Sequence, residues 1–190
     1  IENMVKFAKD NAIDLVMVAP DDPLVLGMVD AMEKEGIRAF GPRANAAIIE
    51  GSKAFSKELM KKYNIPTANY EVFTDSTSAI DYIKAQNTFP TVIKADGLAL
   101  GKGVIIAQNL EEAEQAVHEM IDDGKFGKSG SRVVIEEFLT GPEVSVLAFT
   151  DGKTVKPMVS AQDHKRAYDN DEGLNTGGMG TFSPSRLYDD

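Results

Sequence analysis

A chain of 190 residues that is 43% hydrophobic and 26% charged can bury a substantial core, as one large domain or two small ones. Its 30 acidic and 20 basic residues leave a net charge of −10, which disfavours a nucleic-acid surface and membrane adhesion. The lack of cysteine excludes disulfides, thiolate zinc sites and cysteine nucleophiles, and with neither a run of about 18 apolar residues nor a signal-peptide pattern a cytoplasmic location is expected.

Taken in chain order, Met4, Val5 and Ala8 mark the end of an amphipathic helix, and Leu15-Val16-Met17-Val18 reads as a buried strand. Pro23 to Glu35 reads as a helix with Pro near its first turn and Gly36 as its stop; Ile37 to Phe40 is the next strand, closed by Gly41-Pro42. This alternation is half of an open α/β sheet, in which ligands bind beyond the C-terminal ends of the strands. Pro20-Asp21-Asp22-Pro23 lies at such an end, either as a substrate-facing loop or as a turn in which Asp22 caps the next helix.

A further helix is expected from Ser52, its N-cap, to about Tyr63, with Phe55, Leu59 and Met60 on the packed side. Lys53 falls in its first turn, where the macrodipole favours acidic side chains; it answers to a bound anion or is simply solvated. Tyr70 to Phe73 is a short strand, and Ser76 to Gln86 a helix with Ala79, Ile80 and Ile83 inward.

Thr91 to Ala107 places β-branched apolar runs on either side of a loop that carries Gly97, Gly101 and Gly103 together with Lys102, just after Lys94. Glycines allow successive N–H groups to turn toward one point and lysines add charge, so a phosphate chain is the natural guest; an ordinary glycine-rich turn is the alternative. A P-loop is excluded because Gly97 and Gly101 stand one residue too close and Gly103 occupies the hydroxyl position. The dinucleotide fingerprint fails too: no third glycine follows Gly103, and a strand comes where a helix should begin.

Asn109 and Glu112 form a capping pair ahead of a helix whose Leu110, Ala113, Val117, Met120 and Ile121 recur at helical spacing. His118 lies off that face and reads as solvent-exposed. After a loop from Gly124 to Gly130, the strand Val133-Val134-Ile135 leads into Glu136-Glu137-Phe138-Leu139 and Glu143, either an edge that reads a purine with backbone groups or an edge of solvated glutamates. Val144 to Phe149 and Thr154 to Val159 form a hairpin about Asp151-Gly152. The polar runs Ala161 to Arg166 and Asn175 to Gly180 suit a second anionic ligand or form a surface loop.

Gly51-Ser52-Lys53-Ala54-Phe55, Ile93-Lys94-Ala95-Asp96-Gly97-Leu98 with Gly101-Lys102-Gly103, Glu136-Glu137-Phe138-Leu139, Gln162-Asp163-His164-Lys165-Arg166 and Asn175-Thr176-Gly177-Gly178-Met179-Gly180 together resemble the glycinamide ribonucleotide synthetase family of the ATP-grasp superfamily. The strings keep that family's order and span nearly the whole chain. The resemblance implies a mixed α/β and α+β fold in which two subdomains grasp ATP. It also implies three segments: 1–68, the last part of an open α/β N-terminal domain; 69–137, a small lid subdomain; and 138–190, the start of a larger one.

The resemblance further implies that Lys53 and Lys94 meet the ATP phosphates beneath a lid formed by 96–103, with Gly97, Gly101, Lys102 and Gly103. Glu136, Glu137, Phe138 and Leu139 are expected at adenine, and Glu143 at the ribose hydroxyls. Asp163, His164, Lys165, Arg166, Asn175, Thr176, Gly177 and Gly178 are expected to face the γ-phosphate, glycine and 5-phosphoribosylamine, with Asp163, Lys165 and Arg166 nearest the chemistry. Asp21 stands in a loop near the amine substrate, where the family usually has Glu. The implied reaction is ATP-dependent ligation through glycyl phosphate in purine biosynthesis by a monomer. Mg2+ or Mn2+ is held by ligands outside this chain, and none is assigned within it. Both ends interrupt elements, so the chain is expected to be a fragment that is inactive alone. The rival expectations are another ATP-grasp carboxylate-amine ligase and an ATP-binding module without chemistry.

Overall fold

Apolar residues at helical spacing and β-branched runs at period two divide the chain into alternating helices and strands. The structure, a computed structural model, describes residues 1–98 and 103–188, apart from the side chains of Lys128, Asp171, Leu174 and Asn175. Two compact units result, Ile1–Phe138 and Leu139–Asp190.

The first unit begins with α1 (Glu2–Asp10), β1 (Val16–Met17), α2 (Asp21–Val25), α3 (Met28–Lys34) and β2 (Ala39–Phe40). β1 and β2 pair in parallel, and Ala8, Val18, Met28, Val29 and Met32 form a small core beneath them. The expected buried strand is only half buried, because Leu15 and Met17 are 53% and 66% exposed. The helix expected from Pro23 to Glu35 is broken in two at Gly27, whose φ of +85° leaves the helical region. Asp21 and Asp22 therefore belong to the first turn of α2, and Pro20 at its N-cap position forms no side-chain cap.

After α4 (Ala44–Gly51) comes α5 (Lys53–Lys62), capped by Ser52, whose hydroxyl accepts from the Phe55 N–H at 3.1 Å. Its buried face carries Ala54 and Lys57, and Phe55 is exposed, contrary to the expected packed side. Next follow β3 (Tyr70–Phe73), α6 (Ser76–Gln86), β4 (Thr91–Ala95), β5 (Val104–Ala107), α7 (Leu110–Ile121) and β6 (Val133–Glu137). The four strands form an antiparallel sheet in the order β3-β6-β4-β5. One face buries Ile93, Val133 and Ile135 against Ala79 and Ile83 of α6 and Val117 and Met120 of α7. The alternation of strand side chains sends Lys94, Val134 and Glu136 to the opposite face. Asn109 and Glu112 cap α7 reciprocally, and His118 is exposed beside Asp122, its neighbour one turn on.

In the second unit β7 (Ala148–Thr150) pairs antiparallel with β8 (Val155–Pro157), joined by a turn in which the Asp151 carboxylate accepts from the Lys153 and Thr154 N–H groups. β9 (Gln162–Tyr168) pairs antiparallel with β10 (Glu172–Phe182), so the two polar runs read as loops are the strands of one hairpin. Backbone ladder bonds order them although neither run is apolar. Among the described residues no helix is long and apolar enough to cross a membrane.

Candidate functional site

Two buried carboxylates organise the polar side of the four-stranded sheet. Asp96, at the exit of β4, is 8% exposed. Its carboxylate accepts from the Ser52 hydroxyl at 3.0 Å, from the Ala54 N–H at 2.7 Å and from the Arg132 guanidinium, and its carbonyl accepts from the Lys53 N–H at 3.0 Å. The cap of α5 and the start of the glycine-rich loop are thereby one hydrogen-bonded unit. Lys53 consequently leans over the loop, and its ammonium donates to the Gly97 carbonyl at 3.0 Å. Burial holds the Lys53 ammonium below the usual lysine range and nearby Lys94 adds to that, while Asp96 in particular opposes it.

Glu136, on β6, is 5% exposed, and one oxygen of its carboxylate, Oε2, receives Lys94 at 2.9 Å and Lys57 at 3.2 Å. Among the described residues Oε1 is buried with no hydrogen-bond partner. Two ammonium groups on one carboxylate leave a net positive trio, and Lys94, 28% exposed, is its open member. The Glu137 carboxylate turns away and accepts from the backbone and side-chain N–H groups of Asn69 at 3.0 and 2.9 Å, which holds it below the usual carboxylate range. Phe138 ends the first unit and Leu139 begins the second; both side chains are exposed.

In the loop itself Gly97 lies against Ser129, where a Cβ would fall 2.5 Å from the Ser129 hydroxyl, and the Gly103 carbonyl accepts from the Ala95 N–H at 2.8 Å. Gly101 and Lys102 lie outside the described residues.

In the second unit Lys165 bridges Glu143 at 3.0 Å and Asp163 at 3.4 Å, and the Glu143 hydrogen bond foremost raises the Lys165 ammonium above its usual range. Arg166 donates to the Gly173 carbonyl at 2.6 Å, across the hairpin. His164 stacks on Phe182 with ring centroids 5.6 Å apart. Asn175 stands opposite Arg166 in the ladder, and the Thr176 hydroxyl accepts from the Gly178 N–H at 3.0 Å with Gly177 exposed between them.

The structure thus gathers Lys53, Lys94, Gly97 and Glu136 in the first unit and Glu143, Asp163 and Lys165 in the second, whereas Arg166, next to Lys165 on β9, reaches the Gly173 carbonyl on the other face of the strand. Among the described residues no hydrogen bond or ion pair joins Asp21 to the first of these groups, since α2 packs through Leu24 on the small N-terminal core. Lys57, Arg132 and Asn69 were not legible as site residues, because their importance depends on what Glu136, Asp96 and Glu137 need after burial. Among the described residues no cluster of three or more His, Asp or Glu could hold a metal ion.

The family described as phosphoribosylglycinamide synthetase, ATP-grasp (A) domain, matches residues 51–190, and its N domain matches residues 1–50. A phosphoribosylamine-glycine ligase of Halalkalibacterium halodurans is 54% identical over 189 residues, covering 100% of this chain and 44% of that protein. One from Escherichia coli O157:H7 is 50% identical over 190 residues. The chain spans less than half the length of these curated relatives. The crystal structure of the phosphoribosylamine-glycine ligase of Thermotoga maritima superimposes with a TM-score of 0.71 at 40% identity, over 80% of this chain and 38% of that one. A biotin carboxylase domain from Hydrogenobacter thermophilus superimposes with a TM-score of 0.72 at 20% identity, a likeness of fold alone. The fold is ATP-grasp.

Proposed function

This chain belongs to the phosphoribosylglycinamide synthetase family, and from that premise we propose that it carries the nucleotide-phosphate site of an ATP-dependent ligase joining glycine to 5-phosphoribosylamine. The observation that carries the reading is the pair of lysines at one hairpin: Lys53 on the Gly97 carbonyl and Lys94 beside it on Glu136, within a trio of net positive charge. Such a pair meets a polyphosphate from two sides.

In the first unit Lys53 and Lys94 bind the phosphates of ATP, with Gly97, Gly101, Lys102 and Gly103 covering them. Glu136 through Phe138 hold the adenine edge, and Leu139 continues that role at the start of the second unit. Glu143 takes the ribose hydroxyls. Lys165 and Arg166 stabilise the transferred phosphoryl group, Asp163 orients Lys165, and His164, Asn175, Thr176, Gly177 and Gly178 position the substrates. Asp21 lies near the amine substrate. Mg2+ or Mn2+ would accompany the nucleotide and neutralise phosphate charge; no residue of this chain is assigned to hold it.

A glycine carboxylate oxygen forms a bond to the γ-phosphorus as the bond to the β,γ-bridging oxygen breaks, releasing ADP and giving glycyl phosphate. The 5-phosphoribosylamine nitrogen then attacks the glycyl carbonyl, and phosphate leaves as the amide forms and the nitrogen loses a proton. Cations and positioning serve both displacements, and neither needs a protein nucleophile. The test is steady-state ADP release by the intact protein: sustained turnover that requires glycine and phosphoribosylamine together supports the reading. ATP binding without substrate-dependent phosphate release contradicts it.

A further inference from the structure

Lys57 has no part in the reading above, yet among the described residues it is the most enclosed cation of the first unit that an ion pair holds, with a side chain 10% exposed. Burying an ammonium is costly unless every donor finds a partner. Lys57 meets that demand: it donates to the Thr67 hydroxyl at 2.7 Å and the Ala68 carbonyl at 3.4 Å, pairs with Glu136 Oε2 at 3.2 Å, and stands 5.5 Å over the Tyr70 ring. A core position on α5 filled by leucine would give the same packing without this cost. The Glu136 carboxylate is itself shared, since Lys94 takes the same oxygen at 2.9 Å.

We propose that Lys57 is a positioning residue for the nucleotide site, acting through Glu136 to set both the place and the unspent charge of Lys94. This role rests on the ATP-binding reading above. With Lys57 present, the carboxylate is fixed at Oε2 and its charge is divided between two ammonium groups, so the trio keeps a net positive charge for an incoming phosphate. Without Lys57, Lys94 and Glu136 form a neutral pair, and the carboxylate is free to turn Oε1, which has no partner among the described residues, toward the Lys94 ammonium. Lys94 is then drawn into the ion pair and away from the ligand.

The test is calorimetric Kd for ATP with the intact protein, alongside its thermal midpoint. Lys57→Met raises the Kd about tenfold, whereas Lys57→Arg, which restores the charge, stays within threefold of wild type. In a Glu136→Gln background Lys57→Met changes the Kd by less than threefold, because the carboxylate through which it acts is gone. Should Lys57→Met fail to fold, Lys57→Gln keeps the Thr67 hydrogen bond without the charge and carries the same tenfold expectation. A charge-removing variant that folds and binds ATP like wild type overturns the proposal, as does an equal loss with and without Glu136. Wild-type protein that does not bind ATP, or a Lys94→Ala variant that binds it undiminished, overturns the underlying reading instead.

Discussion

The ammonium of Lys53 donates to the carbonyl of Gly97 at 3.0 Å, so the first side chain of α5 rests on the first glycine of the loop 44 residues later. That contact exists because Asp96 fixes both ends of it, accepting from Ser52, Ala54 and Arg132 through its carboxylate and from Lys53 through its carbonyl. Helix cap, lysine and the Asp96-Gly97 start of the loop are one hydrogen-bonded unit.

Replacing Asp96 with Ala leaves the Ser52 hydroxyl and the Ala54 N–H without their acceptor and Arg132 without its anion. A loss of about 2–3 kcal/mol is expected, read as a lower denaturation midpoint. Asp96→Asn, which keeps an acceptor, is expected to lose less.

Gly97→Ala places a Cβ 2.5 Å from the Ser129 hydroxyl and 2.9 Å from its Cβ, too close for either to stay. The Ser129 hydroxyl also donates to the Leu98 carbonyl at 3.0 Å, so the clash moves the loop. The substitution costs about 1–3 kcal/mol and weakens ATP binding, and Ser129→Gly in the same protein recovers part of both.

Burial lowers the Lys53 ammonium, with Lys94 adding to that effect and Asp96, Glu50 and Glu136 opposing it. The folded protein therefore releases this proton at lower pH than the unfolded chain does. Its cost to stability is fully present below the folded value and is relieved as pH rises from there to the unfolded value. A phosphate ligand favours the charged form, so ATP affinity falls as pH rises through the depressed value. Lys53→Arg, whose guanidinium stays charged, removes that fall if the variant binds at all; an unchanged pH profile in Lys53→Arg assigns the titration to another group.

The existence and order of most elements were legible in the sequence: the cap at Asn109, the inward Ala79, Ile80 and Ile83, and the strand-loop-strand at Lys94 are all present. Gly27 hid a helix break, because a glycine inside an apolar pattern looks tolerable until its φ turns positive. The β9–β10 hairpin was missed because its strands are polar and held by the ladder between them. The side chain of Glu136 joins two lysines, a pairing set by burial of the sheet face and not by any spacing in the sequence. Lys57 escaped notice since a lysine beside Glu58 on a helix ordinarily points to water. Its burial follows from the sheet packed against α5, which no local pattern encodes.

Among the described residues Lys165, 46% exposed, pairs with the exposed Glu143 at 69% and the half-buried Asp163 at 25%. Such pairs contribute about 0–1 kcal/mol, so Lys165→Ala leaves the thermal midpoint of the intact protein nearly unchanged. If Lys165 stabilises the transferred phosphoryl group, the same change lowers turnover by about 100-fold or more. Equal turnover in the two proteins removes Lys165 from the chemistry.

Calorimetric titration of Mg-ATP into the intact protein and its Lys94→Ala variant tests the central claim most directly. The lysine pair predicts saturable binding by the wild type and an affinity lower by about tenfold or more in a variant that keeps its fold. A folded Lys94→Ala protein that binds Mg-ATP as tightly as wild type would contradict it.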